Sequence, residues 1–331
     1  MAERLRIPGE WELHAACWMA FPHLPDEWSD LGRAQRALAA LCRAITERGN
    51  EDVRLLVADA GVERLARSLI GESNRVTYLH AHYGDVWTRD TLPTLGRVGD
   101  DELGALCFEF NGWGGKFEMA GDESIGDWVV SELQARAFRS PVILEGGAIE
   151  SNGDGVLLTT ESCALHPNRN PDLSREALEA SLRELLELER VVWLRDGLAG
   201  DHTDGHIDML ARFANDETVL CMRANDEAPN AGVLRRVHET LLEAGFRVRE
   251  LPAPDLVLGP DGSPLPASYC NFYIANEAVI VPTYGASQDE LALAAIGEAF
   301  PERALVGLPA TDLLCGGGAF HCVTQPQPSL P

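Results

Sequence analysis

Apolar residues return every three or four positions in several stretches, which is the period of a helix that buries one face. Leu38, Leu41 and Ile45 form one such stripe. Leu178, Leu182, Leu185 and Leu186 form a second behind Ser174, whose hydroxyl is placed to accept a bond from an unpaired N–H of the first turn. Leu234, Val237 and Leu241 form a third, in a helix expected to stop near Gly245. Between the stripes run short stretches rich in branched residues, which predict strands: Val53 to Val57, Val76 to Leu79, Leu106 to Phe110, Val156 to Thr160, Val191 to Leu194, Thr218 to Met222, Phe272 to Ile274 and Val279 to Val281. Helices beginning near Ser124, Ser174, Asn230 and Gln288 recur at roughly 50 to 60 residues, with two or three strands in each interval. That spacing leaves two architectures open, a radial repeat of one α/β unit or an irregular alternation. The proline-rich stretch Pro252 to Pro266 reads as a long loop, since strand and helix patterns resume after it. No linker divides the chain, so residues 1–331 are expected to form one domain, with a frayed tail from Gln325 to Pro331.

Composition narrows the partners. The 27 Lys and Arg against 52 Asp and Glu leave a formal net charge of −25, a field that repels phosphate backbones and anionic lipid and attracts cations. Nucleic acid and membrane are therefore not expected as partners, and a small cationic molecule is. The eight cysteines stand far apart with no CxxC spacing, which argues against a structural zinc site. The opening MAERLRIPGEWELHAACW lacks the apolar run of a signal peptide, and no stretch reaches the roughly 18 apolar residues of a membrane span. A reduced, cytoplasmic enzyme is expected, with a homodimer as its candidate assembly.

Four segments break the alternation and concentrate Gly, Trp, His, Cys and carboxylates: Asp85 to Thr94, Leu144 to Gly155, Gly200 to Asp208 and Cys315 to Cys322. In CGGGAFHC, three consecutive glycines permit close backbone approach to a ligand beside a thiol. Cys322 is the nucleophile candidate, and Cys315, which continues the apolar run Leu313-Leu314, is its rival; the other six cysteines read as inert thiols. In GDHTDGHID, His206 is the acid/base candidate and Asp208 would share its face in an extended segment. His202 and His206 have the spacing of helical metal ligands, but Asp204-Gly205 between them disfavours a helix, and no metal or other cofactor is expected. Singly, Arg89 beside Asp90 reads as an ion pair, Trp87 as core and Glu145 as a strand-end carboxylate. Together, a thiol, a histidine and three carboxylates in glycine-rich loops of an acidic chain describe a site where a thiolate attacks a cation.

Eight segments in order, GEWELHAACWMAFPH, DVWTRDTLPT, FNGWGGKF, LEGGAIESNGDGVLLTTESC, NRNP, DGHID, NFYIANEAVIVP and GGGAFHC, make the chain resemble the agmatine deiminases, grouped with the Porphyromonas-type peptidyl-arginine deiminases in the guanidino-group modifying superfamily. The resemblance runs nearly end to end. It implies a five-bladed α/β-propeller of pseudo-fivefold ββαβ-type units. It also implies hydrolysis of a guanidinium C–N bond without metal or organic cofactor, with agmatine giving N-carbamoylputrescine and ammonia. Carried over by position, Cys322 would be the nucleophile, His206 the general acid/base, Glu145 the carboxylate orienting it, and Asp90 and Asp208 the guanidinium clamps, while Trp87 would line the channel for the aliphatic chain.

Two departures bear on this. Leu92 stands where many relatives have glycine, and His202 stands where agmatine-specific relatives often carry a glutamate that could bind the distal ammonium. Arginine, a modified arginine or a peptidyl arginine is accordingly an alternative substrate. A papain-like thiol amidase and a polyamine-binding protein are the readings from other classes.

Overall fold

The computed structural model describes residues 3–225 and 228–331, so Met1 and Ala2 of the opening stretch lie outside the described residues. Five small sheets are present. In four of them the chain makes an antiparallel pair, crosses over through a helix and returns parallel. The sets are Thr94–Val98, Glu102–Glu109 and Arg136–Ile143; Glu150–Ser151, Val156–Thr160 and Arg190–Leu194; Ala211–Phe213, Thr218–Arg223 and Arg247–Pro252; and Tyr273–Ile274, Ala278–Thr283 and Ala304–Pro309. The fifth joins the two ends of the chain: Gln325–Pro328 pairs antiparallel with His14–Ala20, which pairs parallel with Val53–Val57, and Val76–His80 adds a fourth strand. These are the five ββαβ-type blades of the propeller, so the even helix spacing reflects radial repetition.

The expected helices form for the reasons given. Leu31–Glu47 buries Leu38, Leu41 and Ile45 against Val53 and Leu55 of the next strand. Arg175–Leu185 is capped by Ser174, which accepts from Ala177 N, and buries Leu178 and Leu182. Ala231–Glu243 buries Leu234, Val237 and Leu241, and Gly245 follows with φ +90°. Fully burying one such side chain contributes about 1.5–3 kcal/mol, so each stripe is enough to seat its helix on a blade. Leu186 falls just beyond its helix but is still buried. Among the described residues, no helix is long and apolar enough to cross a membrane.

Two local expectations change. The tail does not fray: Gln325–Pro328 is a strand, and the buried Gln325 donates to Pro93 O at 2.8 Å. Its two prolines hide the strand signal, since they cannot donate to a ladder, but a strand at the edge of its sheet tolerates them. Leu92 has φ −94° and is buried with Ile125 and Val129, a conformation open to any residue, so glycine is not required there.

Candidate active site

The candidate residues come from the turns that lead into the first strand of successive blades. Asp90 lies in the short helix Thr88–Thr91 before Thr94–Val98, and Glu145 precedes the turn Gly146–Ala148 and the strand Glu150–Ser151. His206 and Asp208 precede Ala211–Phe213, and Cys322 precedes Gln325–Pro328. Gly147 marks the point where three of them meet. A Cβ built on it would lie 2.6 Å from His206 Nδ1, 2.8 Å from Asp90 Oδ1 and 3.2 Å from Asp208 Oδ2, closer than ordinary contact allows.

His206 turns Nε2 toward Glu145 Oε2 at 3.4 Å, and its Nδ1, 3.8 Å from Asp90 Oδ1, is buried without a hydrogen bond. Burial alone would lower its pKa, but Asp90, Cys163 and Glu145 outweigh burial and hold it well above the usual histidine value. Glu145 is in turn fixed by Arg169, whose Nε donates to both carboxylate oxygens at 2.9 and 3.0 Å. Burial would raise Glu145, yet His206 and Arg169 keep it below the ordinary carboxylate value.

Asp90 accepts from Trp113 Nε1 at 2.9 Å and from Gly147 N at 2.9 Å, and burial leaves its pKa raised. Asp208 accepts from His321 Nδ1 at 2.7 Å through Oδ2, while its Oδ1 is buried with no partner. Cys322 Sγ lies 3.6 Å from Asp208 Oδ2 and 3.2 Å from Asn271 Nδ2. Burial, then Asp208 and Asp90, push the Cys322 thiol well above its ordinary value, so a cation between these carboxylates would favour the thiolate.

Asp90 and Cys322 open on a cavity of about 200 Å³ walled by Trp87, Trp113, Phe117, Met119 and His202. Trp28 stacks on Trp87 at 5.9 Å and donates to Asp85 at 3.1 Å. Asp85 and Glu27 both line the cavity. Burial pushes Asp85 up to about 6 against the Trp28 bond, and the negative Glu27 adds to the rise. His202 sits on the wall with its ring 5.9 Å from that of Phe117. Its loop is pinned by Asp204, which takes Lys116 at 2.8 Å and Arg169 at 2.7 Å.

His202 and His206 do not share a metal-like site. The group with ligand-like spacing among the described residues is Glu145, Cys163 and His206. The Arg169 guanidinium already occupies both oxygens of Glu145, which opposes a second cation there. Cys315 reaches the cavity wall, partly buried, whereas Cys17, Cys42, Cys163, Cys221 and Cys270 are buried and Cys107 is half-buried. Burial pushes Cys42 and Cys270 up to about 12, which keeps them protonated. Arg89 does not pair with Asp90 but with Glu10, at 2.8 Å.

Sequence reasoning gave no role to Asn271, Arg169, Cys163, Glu10 or His321. Asn271 Oδ1 accepts from His321 N at 3.1 Å, so its side chain sits against both the Cys322 sulfur and the Cys322 loop. Its position before Tyr273–Ile274 is the equivalent, in the remaining blade, of the positions that supply the other site residues.

The family model for Porphyromonas-type peptidyl-arginine deiminase matches residues 6–328. The agmatine deiminase of Ectopseudomonas mendocina is 34% identical over 99% of this chain and 96% of its own length. Among solved structures, the agmatine deiminase of Enterococcus faecalis superposes with a TM-score of 0.92 at 30% identity, covering 100% of both chains. An agmatine deiminase of C. jejuni with substrate bound gives a TM-score of 0.91 at 28% identity, covering 99% of this chain and 98% of that one. With the match running through every blade and every turn that feeds the cavity, the chain belongs to the Porphyromonas-type peptidyl-arginine deiminase family, within the guanidino-group modifying fold.

Proposed function

We propose that this chain is a cytoplasmic deiminase of a small free guanidine, foremost agmatine, which it hydrolyses to N-carbamoylputrescine and ammonia through a covalent intermediate on Cys322. The observation that carries the reading is the grouping of Asp90, Asp208 and His206 around Gly147, with the Cys322 sulfur 3.6 Å from Asp208. A guanidinium is planar, delocalised and permanently charged, so it is a weak electrophile that must be held and polarised by carboxylates. Asp90 and Asp208 do the holding, and the unpartnered Asp208 Oδ1 is an acceptor ready for an N–H of the substrate.

The cation lowers the thiol's pKa, and the thiol proton passes to solvent. The Cys322 sulfur then bonds to the central carbon. His206 gives its proton from Nδ1 to one nitrogen, the C–N bond breaks, and ammonia departs, leaving a thiouronium cation on sulfur. His206 next takes a proton from water, whose oxygen attacks the same carbon. The C–S bond breaks as the new hydroxyl becomes a carbonyl, and the second proton returns to sulfur. Glu145 bonds the Nε2 side of His206 and so keeps Nδ1 facing the reacting atoms.

The cavity's apolar walls, Trp87 and Trp113 among them, suit an aliphatic chain. Glu27 and Asp85 supply the carboxylates for a distal ammonium that the His202 ring does not. A thiol amidase would have no use for two carboxylates beside the sulfur, and Asp90 and Asp208 are what a guanidinium needs there. The experiment is ammonia release from agmatine, arginine, a peptidyl arginine and simple alkylguanidines, compared by kcat/KM. Agmatine is expected to lead. A lead for arginine or a peptide would move the assignment within the deiminases, and no release from any guanidine would remove it.

A further inference from the structure

We propose that His321 is a positioning residue for this reaction: clamped as an imidazolium between Glu10 and Asp208, it fixes the Asp208 carboxylate beside the Cys322 sulfur. The proposal rests on the deiminase reading of the cavity. His321 is 1% exposed, and both of its ring nitrogens face carboxylates, Nδ1 to Asp208 Oδ2 at 2.7 Å and Nε2 to Glu10 Oε2 at 3.0 Å. Each carboxylate oxygen can only accept, so each ring nitrogen must donate, and a ring that donates from both nitrogens carries a positive charge.

The carboxylates it bridges are themselves held. Glu10 Oε2 also takes Arg89 Nη2 at 2.8 Å, and its Oε1 takes Arg212 Nη2 at 2.8 Å and Ile274 N at 3.0 Å. Arg212 reaches on to Glu150 Oε2 at 3.0 Å. The His321 ring therefore rests on a braced, fully buried frame and presents a fixed N–H to Asp208. The two oxygens of Asp208 become unequal: Oδ2 takes His321 Nδ1 and lies 3.6 Å from the Cys322 sulfur, and Oδ1 is left buried with no partner. A carboxylate free to rotate would present either oxygen. This one is set.

The charge matters as well as the geometry. Burial would raise the Asp208 pKa, but His321, by its bond and its charge, together with His206 and Arg212, keeps it below the ordinary carboxylate value. Asp90 and the Cys322 sulfur also lie beside Asp208, the sulfur against the same Oδ2, and both would otherwise favour its protonation. Without the imidazolium the Asp208 pKa would rise, and a protonated clamp neither attracts a guanidinium nor accepts from it on both oxygens.

The test has two arms. In His321→Gln, a neutral donor replaces the ring, and kcat/KM for agmatine near neutral pH should fall on the order of ten- to a hundredfold. The acid limb of the kcat/KM profile should move to higher pH, so that activity partly recovers on raising the pH. A merely structural role would lower activity by the same factor at every pH, and that result, or an unchanged profile, overturns the proposal. The second arm needs no folded His321 variant. Nitrogen NMR of the His206→Asn protein, labelled in histidine, should show one ring whose two N–H groups both bond to carboxylates; its absence overturns the proposal. Failure of the deiminase reading would show instead as wild-type protein that releases no ammonia from any guanidine, whatever the NMR finds.

Discussion

His206 faces Glu145 with Nε2 at 3.4 Å and leaves Nδ1 buried, without a hydrogen bond and 3.8 Å from Asp90. One nitrogen is thus tied and the other is aimed at the space between the clamp carboxylates. A buried polar atom with no partner costs about 1–3 kcal/mol, and the fold retains two such atoms here, Nδ1 and Asp208 Oδ1. The first lies 3.8 Å from Asp90, and the second belongs to the carboxylate whose other oxygen lies 3.6 Å from the Cys322 sulfur.

Because Gly147 leaves room for His206 Nδ1 and Asp90 Oδ1, Gly147→Ala should displace these side chains while sparing the core. The loss of kcat/KM is expected to be on the order of a hundredfold, since misplacement by about 1 Å costs that much. Thermal unfolding, measured alongside, should change little by comparison. Full activity in this variant would show that the three groups do not meet as described.

Asp90→Asn and Asp208→Asn each remove a charge and one acceptor from the clamp. Losing a hydrogen bond to a charged group costs about 1.5–3 kcal/mol, so kcat/KM should drop on the order of at least ten- to a hundredfold in each. Steady-state kinetics on agmatine checks this, and near-normal values in both place the clamp elsewhere.

Asp85 and Asp122 are held up, chiefly by burial, at about 6 and about 7. Both values lie above the roughly 3.9 of an unfolded aspartate, so between these limits the folded state binds more protons than the unfolded one. Stability should therefore fall as pH rises from about 4 to about 7 through this pair. Comparing Tm against pH for wild type and the Asp85→Asn/Asp122→Asn double variant tests it: the variant's curve should be flatter. An equal slope would assign the effect to other groups.

His202 occupies the cavity wall, where its substitution by glutamate adds a carboxylate near the position expected for a distal ammonium. His202→Glu should lower KM for agmatine more than for alkylguanidines without a distal amine. An equal change for both would leave His202 as a brace for the loop that Asp204 pins to Lys116 and Arg169.

The helices were legible because Leu38, Leu41 and Ile45, or Leu234, Val237 and Leu241, repeat with helical period and all are buried. The third strand of several blades was not. Arg136–Ile143 mixes two arginines and a proline into its run, and Arg247–Pro252 alternates charge with exposed positions. Outer strands half open to solvent lose the apolar signal that marks inner ones. Cys322, His206, Glu145 and Asp208 stood out because each lies in a glycine-rich break, and Asp90 because it sits in the Trp- and charge-rich break WTRD; the fold brings them together. Asn271, Arg169, Glu10 and His321 were hidden, since their parts depend on partners up to 311 residues away, as in the bond of His321 to Glu10. The repeat itself held a clue to Asn271, which takes in one blade the place that Asp90, Glu145, Asp208 and Cys322 take in the others.

The central claim is a covalent bond between the substrate's guanidino carbon and the Cys322 sulfur, and mass spectrometry of protein quenched during turnover of agmatine tests it most directly. The account predicts an adduct on the peptide carrying Cys322, absent in Cys322→Ser, which should also be inactive because a serine hydroxyl is far harder to ionise. Cys315→Ser, altering a thiol on the cavity wall, should keep the adduct and most of the activity. An adduct found on Cys315, or full turnover by Cys322→Ser, would contradict it.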